Sequence, residues 1–359
     1  MQIFRRARIM SKKHRKKSLK KNLDKTRQKH LVDQKKTKKK IPVFLFVVVA
    51  LVVFLLALAF FLLSYNEPES IYVFPENPKQ GDSVFIRVKS KSDNVAGSFI
   101  ESSNATQNKQ ELVFYRKGKS TEWIALLGVD ATQDPGDYEI FVDTGGGQIL
   151  TKETKVSLAE FSSEPAILAP SSAATGYTNE KAVNNIIKND NPSLDKFLSN
   201  FTPEPYFTSA FSSPLGSVKI SGLSFGEFVK FGQQKIQHLG VDLRAPEKTK
   251  VYAVNDGKVV ATLDLSNYGK TIIIDHGLGI FSLYLHLSEF EVSEGQMVKR
   301  GKAIGLSGET GYTAGPHLHF SMRVNGSRVD PMAFVQTTQK INDNFMLADI
   351  SNAFLSIIK

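Results

Sequence analysis

Two histidines separated by one residue, His317 and His319, lie in a short apolar stretch near the C-terminal end of the chain, residues 315–320. Because successive side chains of a strand point to opposite faces, the two imidazoles would lie side by side on one face. Such a pair can provide one metal ligand and one neighbouring acid or base. A His-x-His tripeptide also arises by chance, so its meaning depends on residues upstream.

A second cluster, His238 and Asp242, lies in residues 237–243. Read as a strand, this run places its apolar side chains on one face and His238, Gly240 and Asp242 on the other. The glycine then leaves room between the two polar side chains. Zinc accepts histidine nitrogen and carboxylate oxygen, and catalytic zinc sites commonly use three protein ligands with an open fourth position. His238, Asp242 and one downstream histidine provide such a set.

A fifth candidate, His286, lies in residues 281–288, where leucines alternate with polar residues. This alternation predicts a half-buried strand with His286 on its polar face, free for chemistry. By contrast, His276 occupies the same alternate positions as Ile272 and Ile274, so it would lie on the same apolar face of a strand, and we interpret it as a structural histidine. The chain contains no cysteine, which excludes disulfides and thiolate ligands to zinc.

With the motifs around them, these residues resemble the lysostaphin-like (LytM-type) zinc metalloendopeptidases, which cut peptide cross-links in bacterial cell walls. The resemblance covers about residues 220–335. Its motifs are His238-x-x-x-Asp242, Ala253-x-x-x-Gly257-x-Val259, Ile274-Asp275-His276-Gly277-x-Gly279, Tyr284-x-His286-Leu287-Ser288, Gly295-x-x-Val298-x-x-Gly301-x-x-Ile304-Gly305, Thr310-Gly311, Gly315-Pro316-His317-Leu318-His319-Phe320 and Val329-Asp330-Pro331. One departure is visible: these enzymes often carry an upstream Phe-Gly-x-Arg element, and here Phe228 stands where the arginine is expected.

The resemblance implies a fold, a metal and a division of roles. The fold would be an antiparallel β domain of the LytM type, similar to a duplicated hybrid motif, with the metal on the floor of a groove. His238, Asp242 and His319 would hold Zn²⁺, while His286 and His317 would flank the metal-bound water. Zinc lowers the pKa of bound water to roughly 7, and a histidine with a reference pKa of about 6.5 can exchange a proton in the same range. The sequence does not assign which of the two histidines is the general base.

Two functions remain in competition at this level. The first is a membrane-anchored zinc metalloendopeptidase that hydrolyses the peptide cross-links of peptidoglycan, with its stem peptides as substrate. The alternative is a non-enzymatic regulator of the same fold that activates a cell-wall amidase. Such regulators typically lose metal ligands or catalytic histidines, whereas all five residues are present here, which favours the enzyme. A module that only recognises wall peptides would require the site to be permanently blocked.

The N-terminal segment indicates where the protein is located. Residues 1–40 carry 18 Lys and Arg against two Asp, whereas the remaining residues are net acidic. Residues 43–63 then contain no charged or hydrogen-bonding side chain, a length that spans the roughly 30 Å hydrocarbon core as a helix. By the positive-inside rule, residues 1–42 form a cytoplasmic tail, residues 43–63 a single transmembrane helix in the cytoplasmic membrane, and the catalytic domain is periplasmic or otherwise extracytoplasmic.

Two alternatives for this segment are less favoured. A cleaved signal peptide would have a shorter apolar region, of about 7–15 residues, followed by a cleavage site. A lysine-rich tail could also contact nucleic acid, but directly before a membrane span attraction to anionic lipid is the simpler account. We therefore expect an uncleaved anchor and no nucleic-acid partner.

Between the anchor and the metal motifs, the sequence predicts a separate β domain. Residues 70–158 contain short strand-like runs separated by turn signals, typical of an immunoglobulin-like β-sandwich with Trp123 in its core. Residues 159–215 are predicted to be a linker with short helices that could pass over the catalytic groove or touch nothing. Residues 216–336 form the predicted zinc metallopeptidase domain and residues 337–359 a C-terminal helix. The chain as a whole is thus expected to be mainly β.

Overall fold

The structure, a computed structural model, describes residues 18, 20–29, 43–64, 68–102, 109–116, 118–161, 166–167, 179–231 and 234–343. The chain divides into two units, Met1–Glu67 and Pro68–Lys359. Most of the predicted basic tail, 1–42, lies outside the described residues. The metal motifs all belong to the second unit.

In the first unit, helix α1 (Val43–Ser64) covers the apolar run that the sequence marks as a membrane span. Its described side chains, residues 47–58, are solvent-exposed. The side chains of residues 43–46 and 59–64 lie outside the described residues. Within the described part of the chain, no helix is both long and apolar enough to cross a membrane, so the predicted transmembrane helix is not confirmed.

The second unit begins with seven antiparallel strands in two sheets. The strands are β1 (Ser70–Phe74), β2 (Ser83–Lys89), β3 (Ala96–Glu101), β4 (Lys109–Leu112), β5 (Glu122–Gly128), β6 (Gly136–Asp143) and β7 (Ile149–Val156). One sheet has the order β1-β2-β5 and the other β4-β3-β6-β7, and apolar side chains of both form one core that includes Trp123. Alternate residues of β6 face this core, and the Tyr138 hydroxyl donates to the Asp134 carbonyl at 2.8 Å. The immunoglobulin-like assignment itself stays a prediction.

Short helices follow. After β8 (Ala166–Ile167) come helix α2 (Asn179–Asn185), one π-helical turn (Ile186–Asp190) and helix α3 (Asn191–Leu198). We call residues 179–198 the strap. Its first half packs Ala182 and Val183 against Val229, and its second half packs Leu194 and Leu198 onto the central sheet. The strap therefore connects two apolar clusters, one around Val229 and one on the central sheet.

The central sheet is antiparallel and carries nine strands. After β9 (Phe228–Phe231) and β10 (Gln234–Gln237), which pair with each other, it contains β11 (Val241–Leu243), β12 (Lys250–Tyr252), β13 (Gly257–Leu265), β14 (Gly269–Gly277), β15 (Ile280–Phe290), β16 (Met297–Val298), β17 (Ala303–Ser307), β18 (Leu318–Val324) and β19 (Ser327–Val329). The main path is β11-β18-β15-β14-β13-β16. The mainly β, antiparallel architecture predicted for this region is confirmed.

The central strand β15 differs from its sequence prediction. Residues 280–287 are all buried, although only one face was expected to be covered. One face of β15 packs into the main core, whereas Leu283 and Leu285 on the other face pack under Leu194 and Leu198 of the strap. Alternating polarity therefore misreported burial, because the strap covers the face of Leu283 and Leu285, while the face that carries Ser282 and Tyr284 is buried in the main core.

Helix α4 (Pro331–Asp343) closes the described chain. It starts six residues before the predicted C-terminal helix at 337–359, because Asp330 Oδ1 accepts the backbone N–H groups of Met332 and Ala333 at 2.9 and 3.0 Å and caps its first turn. Residues 344–359 lie outside the described residues. Phe334 of this helix stacks on Phe85 of β2, so the first β sheet and the central sheet share one apolar core.

Candidate metal centre and groove

Three side chains converge on one point at the end of β11. His238 Nε2 lies 2.9 Å from His319 Nδ1, His319 Nδ1 lies 3.0 Å from Asp242 Oδ1, and His238 Nε2 lies 3.2 Å from Asp242 Oδ1. A tetrahedral ion with bonds of about 2.0–2.1 Å would separate its ligand atoms by roughly 3.3 Å. The three atoms thus already form a triangle close to one face of a zinc coordination sphere.

Strand pairing and a bend bring these residues together. Asp242 and His319 are direct register partners between β11 and β18. His238 lies outside any strand, so the predicted continuous strand through 237–243 is wrong. In a straight strand, residues four apart are separated by about 13 Å, too far for His238 and Asp242 to share an ion. The bend at Gly240 removes that separation.

Gly240 has a different role from the one predicted. A Cβ atom at this position would lie well inside contact distance of His319 Nε2 and 2.8 Å from the Phe320 carbonyl oxygen. The absence of a side chain at Gly240 therefore leaves space for the His319 ring. The prediction had placed that space between His238 and Asp242.

Further hydrogen bonds orient the three side chains. The second ring nitrogen of His238, Nδ1, lies 3.1 Å from the Ser224 carbonyl, so a proton there leaves Nε2 free to bind a metal. The second carboxylate oxygen of Asp242 accepts the Leu223 N–H at 3.2 Å. Both contacts come from residues 223–224, a loop that the sequence reasoning did not connect with the site.

His286 and His317 lie beside this cluster. Their ring centroids are 4.9 Å apart, and the His286 centroid is 6.0 Å from that of His319. His286 Nδ1 lies 2.9 Å from the Thr310 carbonyl and His317 Nδ1 lies 2.8 Å from the Gly315 carbonyl. These carbonyls favour a proton on each Nδ1, which leaves Nε2 of each ring facing the cluster. His317 Nε2 lies 3.5 Å from Asp242 Oδ1.

The backbone of His286 is strained. Its φ is +60°, a left-handed conformation that residues other than glycine rarely adopt. The strain coincides with a bulge, because the three-residue step from Tyr284 to Leu287 of β15 lies opposite the two-residue step from Lys270 to Ile272 of β14. The bulge turns the His286 side chain toward the cluster.

Burial and charge set the protonation of these groups. Burial alone would raise the pKa of Asp242, but hydrogen bonds from His238, His317 and His319 outweigh it and hold the pKa well below its usual range. Burial lowers the pKa of His286 to about 3 and that of His319 to about 4. For His317 burial works in the same direction, but the hydrogen bond to Asp242 outweighs it and the pKa is raised. Near neutral pH Asp242 is therefore a carboxylate, and the imidazoles of His286 and His319 are neutral.

Because the donors are one carboxylate oxygen and two imidazole nitrogens, they fit a divalent cation. His238, Asp242 and His319 are the residues placed to hold it, and zinc accepts this donor set. The structure thus brings together all five predicted site residues, whose individual roles stay predictions.

His276, interpreted from its parity as structural, is fully buried away from the cluster. Its Nδ1 lies 2.8 Å from the Asp256 carbonyl and its Nε2 lies 2.7 Å from the Ser282 hydroxyl. The Ser282 hydroxyl also lies 3.0 Å from that of Tyr284. Burial lowers the pKa of His276 to about 4. These contacts stabilise the core and leave no free nitrogen for catalysis.

The five residues open into a groove of about 980 Å³. Its floor carries His319, Ser321 and Arg323, which alternate along β18. One wall is formed by the strap, through residues such as Leu194 and Asp195, and another by residues 312–316. The strap therefore lines the groove beside the metal centre, which answers in part whether the linker touches the site. Sequence reasoning did not identify Arg323, although its alternation with His319 is readable.

Phe228, which replaces the expected arginine, begins β9 and takes no part in the cluster. Its ring lies 4.0 Å from Lys235 Nζ, a cation–π contact across the β9–β10 hairpin. The neighbouring backbone supports the site instead: Gly226 N donates to the His238 carbonyl and His238 N to the Glu227 carbonyl, both at 2.7 Å.

Comparison with known proteins gives matches to the same part of the chain. Residues 236–331 match the model of peptidase family M23. The chain is 45% identical over 95 residues to the peptidoglycan DD-endopeptidase ShyA of Vibrio cholerae, covering 26% of this chain and 22% of the relative. It is 39% identical over 104 residues to the DD-carboxypeptidase/endopeptidase Mpg of Neisseria meningitidis, covering 29% of this chain and 24% of the relative. The chain thus spans about a quarter of the length of these curated relatives.

Similarity of fold extends further. A solved structure described as a peptidase M23 of Pseudomonas aeruginosa matches with a TM-score of 0.51 at 23% identity, over 72% of this chain and 95% of that one. Because the covered share is much larger than residues 236–331, the likeness in fold is not confined to the region of sequence similarity.

Proposed function

Since residues 236–331 form a peptidase family M23 domain, as the resemblance predicted, we propose that this chain is a zinc metalloendopeptidase that hydrolyses the peptide cross-links of bacterial peptidoglycan. Its relatives over this region are named peptidoglycan endopeptidases. The observation that carries the proposal is the triangle of His238, Asp242 and His319 with two further histidines beside it.

The chain's own residues divide the chemistry as follows. His238, Asp242 and His319 hold the cation. Zinc, when bound, supplies a Lewis acid and lowers the pKa of a coordinated water to roughly 7. His286, neutral at physiological pH because burial lowers its pKa, offers Nε2 as a hydrogen-bond acceptor that orients the attacking water. His317, whose Nε2 lies 3.5 Å from Asp242 Oδ1 at the cluster, is placed to donate from Nε2 to the carbonyl oxygen on which negative charge develops.

Metal content and wall digestion, measured on the same variants of the full chain, test the division of roles. His238→Ala and Asp242→Ala should lose both bound zinc and activity. His286→Ala should retain zinc and lose activity by roughly 10²- to 10⁴-fold, the usual contribution of a general acid or base. If His286→Ala removed the metal as thoroughly as His238→Ala, the division would be wrong.

The cut itself can be read from the products. We expect cross-linked muropeptides to be released as monomers, without new reducing sugar ends, and a chelator to stop the release. Intact cross-links after prolonged incubation with the zinc-loaded protein, together with stimulation of an added amidase, would instead support the regulator.

The anchor is part of the same proposal. Its support is the 21-residue run without a charged or hydrogen-bonding side chain at 43–63 and the lysine- and arginine-rich segment before it, suited to anionic lipid. A reporter that works only outside the cytoplasm, fused after Lys359, should then be active. A mature protein that begins near residue 60 would contradict the anchor.

A further inference from the structure

Arg323 lies on the floor of the groove, four residues beyond His319 on the same face of β18. At about 3.3 Å per residue, the two Cα atoms are separated by about 13 Å. An extended peptide bound along the strand would cover this distance with roughly three or four residues. Arg323 is therefore within reach of a substrate whose scissile bond lies at the metal centre.

Hydrogen bonds fix one part of the guanidinium and leave another part free. Nη1 donates to the Ser321 hydroxyl at 3.1 Å and to the Met322 carbonyl at 3.2 Å. The Ser321 hydroxyl in turn donates to the Leu239 carbonyl at 2.6 Å, next to the metal-binding loop. A guanidinium has five N–H donors, and the two on Nη1 make the bonds just described. The other three donors, one on Nε and two on Nη2, lie along one edge and have no hydrogen-bond partner within the described residues.

No carboxylate in the described part of the chain lies within 4.0 Å of Arg323. Asp130, at the same end of the groove, is held by Arg328, whose Nη2 is 2.7 Å from Asp130 Oδ1. Asp195 of the strap also lines the groove but makes no ion pair there among these residues. Burial, with repulsion from Arg328, lowers the pKa of Arg323 to about 10, so the side chain stays charged at neutral pH. Its charge is thus left without a direct counter-ion.

We propose that Arg323 binds a carboxylate of the peptide substrate through its free Nε and Nη2 edge, three or four residues from the bond that is cut. The guanidinium edge matches the two oxygens of a carboxylate, and such bidentate pairs are among the stronger hydrogen bonds in proteins. The hydrogen bonds of Nη1 hold that edge in place before the substrate arrives. This inference rests on the proposed function and adds a preference for acidic peptides.

Two forms of one substrate test the preference. Cross-linked muropeptides with free stem-peptide carboxylates are compared with the same muropeptides amidated with carbodiimide and ammonium. We expect the full-length protein to cleave the free acid with a kcat/KM roughly 10- to 100-fold higher, the discrimination expected of a charge-assisted bidentate contact. Arg323→Gln should cleave both forms equally, and Arg323→Lys, which keeps the charge without the planar edge, should fall between. Equal cleavage by the unaltered protein, or an undiminished preference in Arg323→Gln, would overturn the proposal.

Two controls separate charge from position. Lys258→Gln removes one positive charge from an exposed position on β13 outside the groove and should leave the preference unchanged. Asp195→Asn removes the groove carboxylate that competes electrostatically for Arg323 and should tighten binding of the free acid but not of the amide. A preference that Lys258→Gln lowers as much as Arg323→Gln would show an effect of net charge alone.

Binding keeps the test independent of catalysis. Calorimetry on the zinc-loaded His286→Ala variant, with and without Arg323→Gln, measures the affinity for each muropeptide form without cleavage. If no cleavage occurred with any variant but Arg323→Gln removed a preference in binding, the hydrolase proposal would fail while the carboxylate site would stand. If cleavage occurred without any preference in binding, the carboxylate site would fail while the hydrolase proposal would stand.

Discussion

Gly240 keeps His319 in position at the metal centre, because no side chain fits between the bend and the imidazole. We expect Gly240→Ala to displace His319 and weaken zinc binding by at least tenfold, the scale on which disturbed support of a ligand acts. Titration with a competing chelator measures the change. Gly216→Ala is the matched control, because a Cβ atom there meets nothing within 4 Å. Unaltered zinc affinity in Gly240→Ala would show that the ring has room to move.

His276 should make folding stability depend on pH. Its pKa is about 4 in the folded protein against about 6.5 when unfolded, so the unfolded chain binds the additional proton between these values. The contribution is therefore complete above pH 6.5 and is lost as the pH falls toward 4, by about 3 kcal/mol in total. Denaturant unfolding between pH 7 and pH 4 measures how steeply the free energy of unfolding falls with pH. This slope should be shallower in His276→Gln at the same metal concentration. Equal slopes in both proteins would contradict this.

At this scale, the identity of the site residues could be predicted but their geometry could not. The five side chains were readable because their spacing matches a family motif. The bend at Gly240 and the left-handed φ of His286 were not, because both arise from contacts with β18 and β14, distant in sequence. The supporting carbonyls of Ser224 and Thr310 were missed for a related reason: a backbone acceptor has no sequence signature.

Among the elements, the strap is held by a buried carboxylate. Asp190 Oδ2 accepts the backbone N–H of Asn267 at 2.8 Å and its side-chain Nδ2 at 3.0 Å. We expect Asp190→Ala to destabilise the protein by about 1–3 kcal/mol, because it leaves buried donors without a partner. Thermal unfolding measures the loss of stability. The control is Lys188→Ala, at an exposed neighbouring residue, which should change the stability little. A loss as small as that of Lys188→Ala would mean that water replaces the carboxylate.

Strand prediction succeeded where one face of a sheet is exposed and failed where both are covered. β6 alternates as expected because its outer face is open to solvent. β15 does not, since the strap covers its second face. β3 shows no clear apolar alternation, because Gly97 and Ser98 interrupt it. Pairing with β4 and β6 stabilises this strand instead.

In the molecule as a whole, an ion pair joins the segment after β5 to the central sheet. Asp130 accepts N–H donors from the backbone, Nε and Nη2 of Arg328 at 2.8, 2.9 and 2.7 Å. Arg328→Gln should destabilise the protein by about 1–3 kcal/mol, because it removes the charged guanidinium that donates two hydrogen bonds to the Asp130 carboxylate. Glu76→Gln, which breaks the more exposed pair with Lys152, should cost less than about 1 kcal/mol. Denaturant unfolding compares them, and equal effects would contradict a special role for the Arg328 pair.

Acid should weaken the same junction. Burial would raise the pKa of Asp130, but the bonds from Arg328 and Thr132 outweigh it and lower the pKa to about 2. The folded pKa lies below the unfolded value of 3.8, so this contribution is present above pH 3.8 and lost as the pH falls toward 2. In Arg328→Gln that part of the acid sensitivity should disappear.

The stacking of Phe85 on Phe334 has a consequence for how this gene can change. At Gly128 of β5, a side chain would meet the Val324 carbonyl oxygen at 2.7 Å and the Ser327 Cβ at 2.6 Å, so the two surfaces are fitted to each other. A recombination event with its breakpoint near residue 160 would join the first seven strands from one ancestor to a central sheet from another, and both phenylalanines would then contact foreign surfaces. Viable exchanges should therefore transfer residues 68–343 as a single cassette.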